Sequence, residues 1–310
     1  MKQAITEKAR SLGFARVKTA GVERVEGWRD AAIKMGVNIN DMALSDDPLS
    51  LMPGARAVIM LAMPYARYED APGEATLDAY YVSVNLAYAQ AGALAEWIKT
   101  QGYKAAARCP LPIKRLAERS GLGQYARTGL IAIEEFGTRV ALQVVLTDAP
   151  LAADHTPAPR LCVNCGTCEK ACPVNALPSY GHVDARKCLR GKYNRLPVEE
   201  EYRPLFTDLL GCDICQRCCP ANAGVKTAKM PGELRRLTAL ETLLRGETGT
   251  LADWIGGNYA RPTRLSAIAA LIAANLQRSD LLPAVESMLS SEHEAIMEHA
   301  SWAVRKLKEK

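Results

Sequence analysis

Nine of the chain's ten cysteines fall between Cys162 and Cys219. They run Cys162-x2-Cys165-x2-Cys168-x3-Cys172-Pro173, then Cys188, then Cys212-x2-Cys215-x2-Cys218-Cys219-Pro220. The first run has the spacing that holds a cubane iron–sulfur cluster: three thiolates fold round one cluster, and the cysteine before proline reaches a second. Two such runs imply two 4Fe–4S clusters that exchange ligands. Cys162, Cys165 and Cys168 share the first, which Cys219 completes from the Cys-Pro position of the second run. The second cluster takes Cys172, Cys212 and Cys215 with either Cys188 or Cys218. Cys218 has the ferredoxin-like x2 spacing, but Cys219 follows it directly, so their side chains cannot diverge as those of Cys168 and Cys172 do. The spacing therefore favours Cys188 and leaves Cys218 spare. Two structural zinc sites are the competing use of cysteine tetrads, but the x2-x2-x3-Pro run is rare in zinc folds. Two adjacent clusters form a short path for single electrons.

The remaining composition is that of an ordinary globular protein, with 48% hydrophobic and 24% charged residues in 310. That length allows one large domain or two to three smaller ones. The net charge of +5, from 39 Lys+Arg against 34 Asp+Glu, is mild, and no block of like charges appears. It permits contact with nucleic acid without requiring it. The N-terminal segment from Met1 to Val17 reads as an amphipathic helix rather than a secretory signal. No stretch approaches the ~20 apolar residues of a membrane span. The expected setting is cytoplasmic, with no membrane partner, where clustered thiols mean metal rather than disulfides.

Periodicity predicts an α+β domain over residues 1–155, a cysteine-rich domain over 156–228 and a helical region over 229–310. In the first, helices are expected at Lys2–Leu12, Val25–Met35, Asp78–Thr100 and Lys114–Arg119. Strands are expected at Ala15–Thr19, Ala57–Met63, Gly129–Ile133 and Thr138–Thr147. Ala57–Met63 is continuously apolar, as in a strand covered on both faces. The segments Pro262–Leu276, Asp280–Leu289 and Glu292–Lys308 have the rhythm of a HEAT-type helical repeat, too short to stand alone.

With its cluster run, Cys188 and the segment Gly211–Asn222, the chain resembles the epoxyqueuosine reductase family. These are cobalamin-dependent, double-cluster enzymes related to the reductive dehalogenases. The resemblance extends to residues 51–65, to 117–151 with its Gly-Leu-Gly and Phe-Gly turns, and to 298–304. It implies a nitroreductase-like, cobalamin-binding domain, a two-cluster ferredoxin-like domain and a short C-terminal HEAT-like region. Electrons would pass through the clusters to cob(II)alamin, and cob(I)alamin would act on the substrate. It places Gly121, Gly123, Tyr125, Arg127 and Thr128 near the cobalamin, although composition alone makes Gly-Leu-Gly only a turn. The implied activity is that of an oxidoreductase in tRNA queuosine modification. The implied partners are a low-potential electron donor of ferredoxin or flavodoxin type, and tRNA or a corrinoid protein.

The chain also departs from the family. Where the tRNA enzymes carry a proton-donating aspartate, an ungapped count reaches Ala107. In this the chain looks closer to paralogues called double-cluster-binding proteins, which lack that acid and carry Tyr-x3-Asn on the long helix and a lysine at the place of Lys114. Tyr80, Tyr81 and Lys114 are then the candidate catalytic residues, because a basic neighbour makes a phenol a better acid. Their plain alternative is helix packing for the tyrosines and a solvated surface lysine. Cys109 reads as a small buried hydrophobe, and none of the four histidines sits in a ligand pattern; His299 reads as structural. Two other functions fit the same residues: an iron–sulfur electron-transfer protein that reduces a corrinoid or a partner oxidoreductase, and an RNA-binding remnant stapled by its clusters.

Overall fold

Ala57–Pro64 is the spine of a four-stranded antiparallel sheet ordered Arg16–Ala20, Ala57–Pro64, Val140–Thr147, Ala105–Ala107. The structure, a computed structural model, describes residues 1–37 and 44–309. Ala57 pairs with Thr147 and Pro64 with Val140, so the two longest strands match along their whole length. The continuous apolar run has a direct cause. Ile59, Leu61 and Met63 point to one face, against Ile5 and Ala9 of the first helix and Ala91, Leu94 and Ile98 of Tyr80–Thr100. Val58, Met60 and Ala62 point to the other, against Leu116, Ala117, Ile131 and Ile133. Period-two alternation thus survives, but both faces are apolar because helices cover both.

The short strand Ala105–Ala107 pairs with Val145–Thr147. Three alanines carry no strand signal, and the sheet, not propensity, extends them. The expected strand over Gly129–Ile133 shrinks to Ile131–Ala132, which pairs back on Gln124–Tyr125 as a small hairpin.

The chain forms two compact units. The first comprises Met1–Tyr65, Ser83–Arg186 and Ile214–Val225; the second comprises Ala66–Val82, Lys187–Asp213 and Lys226–Lys310. The boundaries expected after residues 155 and 228 are not those of the units. Ile214–Val225 belongs with the sheet because Asn222 latches it there. Its Oδ1 accepts the Thr138 backbone N–H at 2.8 Å, and its Nδ2 donates to Thr138 Oγ1 at 3.0 Å and to the Gln216 carbonyl at 2.8 Å. Residues 66–82 join the second unit, where Arg67–Tyr68 pairs in parallel with Thr227–Ala228.

The second unit is helical. Pro262–Asn275 is buried on every side from Leu265 to Ala274 and is packed by Glu294–Lys308 through His299, Ala300, Trp302 and Ala303. His299 is fully buried: Nε2 accepts the Val198 N–H at 2.8 Å, and Nδ1 donates to the Ala267 carbonyl at 3.1 Å. Burial holds this neutral ring's pKa down to about 4. Arg203 pairs with Glu298 and donates to the Val198 carbonyl, and Asn275 Nδ2 closes on the Arg203 and Phe206 carbonyls at 2.8 Å. Among the described residues, no helix is long and apolar enough to cross a membrane.

Candidate cluster and cofactor site

In the first unit Cys162, Cys165, Cys168 and Cys219 line one small cavity with Ala126, Arg127, Thr128, Gly166 and Pro220. Local sequence explains their convergence. Gly166 adopts φ 75°, which starts the short helix Thr167–Ala171 and turns Cys168 inward, while Cys165 stays exposed. Cys219 arrives from the far run, held by the Asn222 latch beside it. Among the described residues, no three His, Cys, Asp or Glu side chains converge tightly enough to grip a single metal ion. Four thiols lining one cavity match the four thiolates that hold a cubane cluster.

Polar atoms near these thiols point the same way. Arg127 Nε and Thr128 Oγ1 are buried without a partner, and both residues line the cysteine cavity. An orphaned buried donor costs about 1–3 kcal/mol unless something accepts from it, and cluster sulfurs are acceptors. The Arg127 backbone N–H already donates to Cys162 Sγ at 3.4 Å, and Thr167 Oγ1 lies 3.2 Å from Cys165 Sγ. The Thr167 hydroxyl holds the Cys165 thiol below its ordinary pKa, whereas burial pushes Cys168 up.

A second, larger cavity of about 580 Å3 opens in the same unit. Apolar side chains such as Trp28, Met35, Leu111 and Ile113 line it together with Lys114, Tyr125, Gly129, Tyr180 and His182. Its size and its apolar lining with a few polar groups suit an organic cofactor. The turn 125–129 is the wall common to both cavities: Tyr125 and Gly129 face the large one, and Ala126, Arg127 and Thr128 the small one. Several bonds pin this wall. Lys114 Nζ donates to the Gly129 carbonyl at 2.7 Å, and the Tyr180 hydroxyl donates to the Tyr125 carbonyl at 2.7 Å. The Arg127 guanidinium donates to Asn164 Oδ1 at 3.2 Å and pairs with Glu169. Gly129 sits at φ 69°, and a Cβ there would press on Val183 and the Gly181 carbonyl. Burial pushes the Tyr125 phenol up to about 12, so it stays protonated.

The other residues expected at the site are more dispersed. Gly121 and Gly123 line neither cavity. A Cβ on Gly121 would strike the Thr156 carbonyl, and one on Gly123 the Ala132 carbonyl, so close approach of the chain to itself accounts for both glycines. Cys172 and Cys215 lie in the first unit, Cys188 and Cys212 in the second. Cys172 Sγ accepts the Ala176 N–H at 3.3 Å. Cys218 does not line the cysteine cavity, and its Sγ turns toward the Cys215 carbonyl at 3.6 Å.

Tyr80 and Tyr81 stack edge-on at 5.5 Å in the second unit, and Tyr81 meets Tyr259 at 4.8 Å. Their basic neighbour is Arg190, which pattern reading missed: its guanidinium lies 4.5 Å from the Tyr80 ring centre and 5.6 Å from that of Tyr81. The two residues are far apart in sequence, and only proximity to Cys188 marked the region. Tyr81 is 3% exposed, and burial drives its pKa upward. Gly211, at φ 74°, leaves room for its ring. Lys114 belongs to the first unit, where its amine holds the Gly129 carbonyl.

Comparison with known proteins agrees with this geometry. Residues 161–222 match the family described as 4Fe-4S double cluster binding domain. The epoxyqueuosine reductase of Gloeobacter violaceus is 33% identical over 205 residues, covering 60% of this chain and 63% of that enzyme. The structure of the Bacillus subtilis epoxyqueuosine reductase superposes with a TM-score of 0.84 at 23% identity, covering 99% of this chain and 90% of that one. The chain resembles the epoxyqueuosine reductases in sequence and shares their fold. A further epoxyqueuosine reductase structure, holding an epoxyqueuosine-modified tRNA stem loop, superposes with a TM-score of 0.85 at 22% identity over 99% of this chain and 90% of that one. The sequence match spans less than two thirds of the Gloeobacter enzyme's length. The B. subtilis structure is described with its catalytic aspartate loop swung out of the active site. Here Ala107, where an epoxyqueuosine reductase aspartate is expected, ends the strand Ala105–Ala107 opposite Val145. Arg108 follows at φ 62°, its guanidinium 4.3 Å from the Tyr88 ring centre.

Proposed function

We propose that the chain is a cobalamin- and 4Fe–4S-dependent reductase. The observation that carries the reading is the shared wall: one five-residue turn separates a cavity ringed by four thiols from a cofactor-sized cavity. In this reading Cys162, Cys165, Cys168 and Cys219 hold the first cluster. By spacing, Cys172, Cys188, Cys212 and Cys215 hold the second. Bound cobalamin supplies a strongly reducing, nucleophilic centre. Tyr125, Gly129 and Lys114 shape its cavity from the wall side, and Arg127 and Thr128 present donors to the cluster. The apolar lining keeps water from a reduced centre that water would otherwise quench.

Epoxyqueuosine in tRNA is the first substrate to test, because relatives carry that name and one was solved with such a stem loop. Removing an epoxide oxygen as water takes two electrons and two protons, so a proton donor is required. With Ala107 in place of the acid, another residue must supply it, and of the candidates Tyr80, Tyr81 and Lys114 the one to test first is Tyr80. Its ring centre lies 4.5 Å from the cationic Arg190 guanidinium, whereas Tyr81 is committed to packing. A ferredoxin- or flavodoxin-type protein is the electron source.

Anaerobically reconstituted protein is titrated with cob(II)alamin and followed by EPR, then supplied with reductant and epoxyqueuosine-bearing tRNA. The reading expects an altered cob(II)alamin spectrum and turnover that Tyr80→Phe abolishes. An unaltered spectrum sinks it. Binding with no turnover of the tRNA, but with transfer of electrons to a corrinoid protein, selects the electron-transfer reading, which the alanine at 107 favours.

A further inference from the structure

Arg127 and Thr128 sit in the middle of a turn whose own backbone closes it. The Ala126 N–H donates to the Leu130 carbonyl at 2.8 Å, and the Gly129 N–H donates to the Ala126 carbonyl at 2.9 Å. The Arg127 N–H reaches Cys162 Sγ at 3.4 Å. The Arg127 guanidinium is held at both terminal nitrogens: one donates to Asn164 Oδ1 and the other pairs with Glu169. Those two residues stand immediately before Cys165 and immediately after Cys168. Only Nε is left, buried and with no acceptor among the described residues. Thr128 is 4% exposed, and its Oγ1 is likewise buried without a partner. A β-branched side chain is stiff at χ1, so the oxygen stays where the closed turn puts it. Both residues line the cavity of Cys162, Cys165, Cys168 and Cys219.

On the reading that these four cysteines bind a cluster, we propose that the Thr128 hydroxyl and the Arg127 Nε–H donate hydrogen bonds to it and raise its reduction potential. Reduction adds one electron to the cluster and no proton, and both hydrogens stay on their donors. The added charge spreads over the cluster sulfurs and thiolates, and a more negative acceptor takes the stronger hydrogen bond. Each bond therefore stabilises the reduced state more than the oxidised one, and the potential rises. Glu169 offsets the guanidinium charge, so Arg127 acts through its N–H more than as a point charge. The second cluster is untouched, because none of its expected ligands lines this cavity. Tyr125 and Gly129 of the same turn wall the large cavity. The donors that tune the cluster thus lie on the segment between it and the space proposed for the cofactor.

The test is an EPR-monitored redox titration of the reconstituted holoprotein, wild type against Thr128→Val and Arg127→Lys, with the exposed Thr100→Val as control. Thr128→Val keeps the side chain's shape and removes the donor, while Arg127→Lys keeps the charge and removes the Nε–H. Iron content and the two cluster EPR signals test the cluster reading on their own. With both clusters present, the same one midpoint should fall in each variant, on the order of tenfold in the reduction equilibrium or ~59 mV for one electron. The other midpoint should stay, as should both in Thr100→Val. Thr128→Ser loses the methyl but keeps the hydroxyl, and it should hold the wild-type potential. Unchanged midpoints in Thr128→Val or Arg127→Lys with full iron overturn the proposal, as does an equal shift in both clusters. Should one of these variants lose iron, the other decides by the same criterion. Should both lose it, Glu169→Gln decides: it uncovers the guanidinium charge, so one midpoint should rise, and no shift in protein with full iron overturns the proposal.

Discussion

In the helical unit, His299, Arg203 and Asn275 bury their polar atoms against partners within that unit. In the sheet unit, Arg127 Nε and Thr128 Oγ1 are buried without partners beside a cavity ringed by cysteines. The contrast separates a region that completes itself from one built round guests. Buried orphan donors at about 1–3 kcal/mol each persist where an occupant satisfies them. Among the described residues the helical unit holds no such orphan, so the stability of its core should respond to pH and packing.

Breaking the guest-dependent side should have the largest effect. Cys162→Ser or Cys219→Ser should remove one cluster and roughly half of the chain's iron, read by iron analysis and loss of one of two EPR signals. Cys218→Ser should retain full iron; a loss there would move the ligand set away from the one given by spacing.

The self-contained side should break with acid. His299 titrates near 4 in the fold, against an ordinary value of 6.5. A depressed folded pKa means that the unfolded chain binds the proton first. The stability that neutral His299 supports is therefore complete above pH 6.5 and lost as pH falls toward 4. The expected loss is ~3 kcal/mol over that window. Melting curves across it should flatten in His299→Gln relative to wild type; equal slopes would remove His299 as the cause.

A smaller effect tests how the second cysteine run is held within the sheet unit. Asn222→Ala strands the Thr138 N–H and should cost about 1–3 kcal/mol, seen as a lower melting temperature and faster loss of cluster absorbance. The smallest expected effect is that of Lys114→Met, which frees the Gly129 carbonyl for about 1 kcal/mol. It should weaken cobalamin binding in the EPR titration without lowering iron content.

Much of the guest side was legible from order along the chain. Cys162, Cys165 and Cys168 sit within one turn and loop, so their spacing alone puts them at one centre. The Cys-Pro position likewise brought in Cys219. The buried strand Ala57–Met63 was legible because a run that long and apolar must be covered on both faces. Tyr125, Arg127 and Thr128 came from family resemblance, and the structure adds what each faces. Gly121 and Gly123 came with them, but the chain's own backbone fills the space beside both.

Local patterns determined the metal chemistry and the sheet's spine, because thiolate spacing and hydrophobic period act over a few residues. Contacts between distant segments decided the remaining features. Asn222 reaches Thr138, Arg190 reaches Tyr80, and Tyr180 reaches Tyr125. Each depends on particular side chains meeting across a long stretch of sequence. No periodicity records such a meeting, and only folding brings it about.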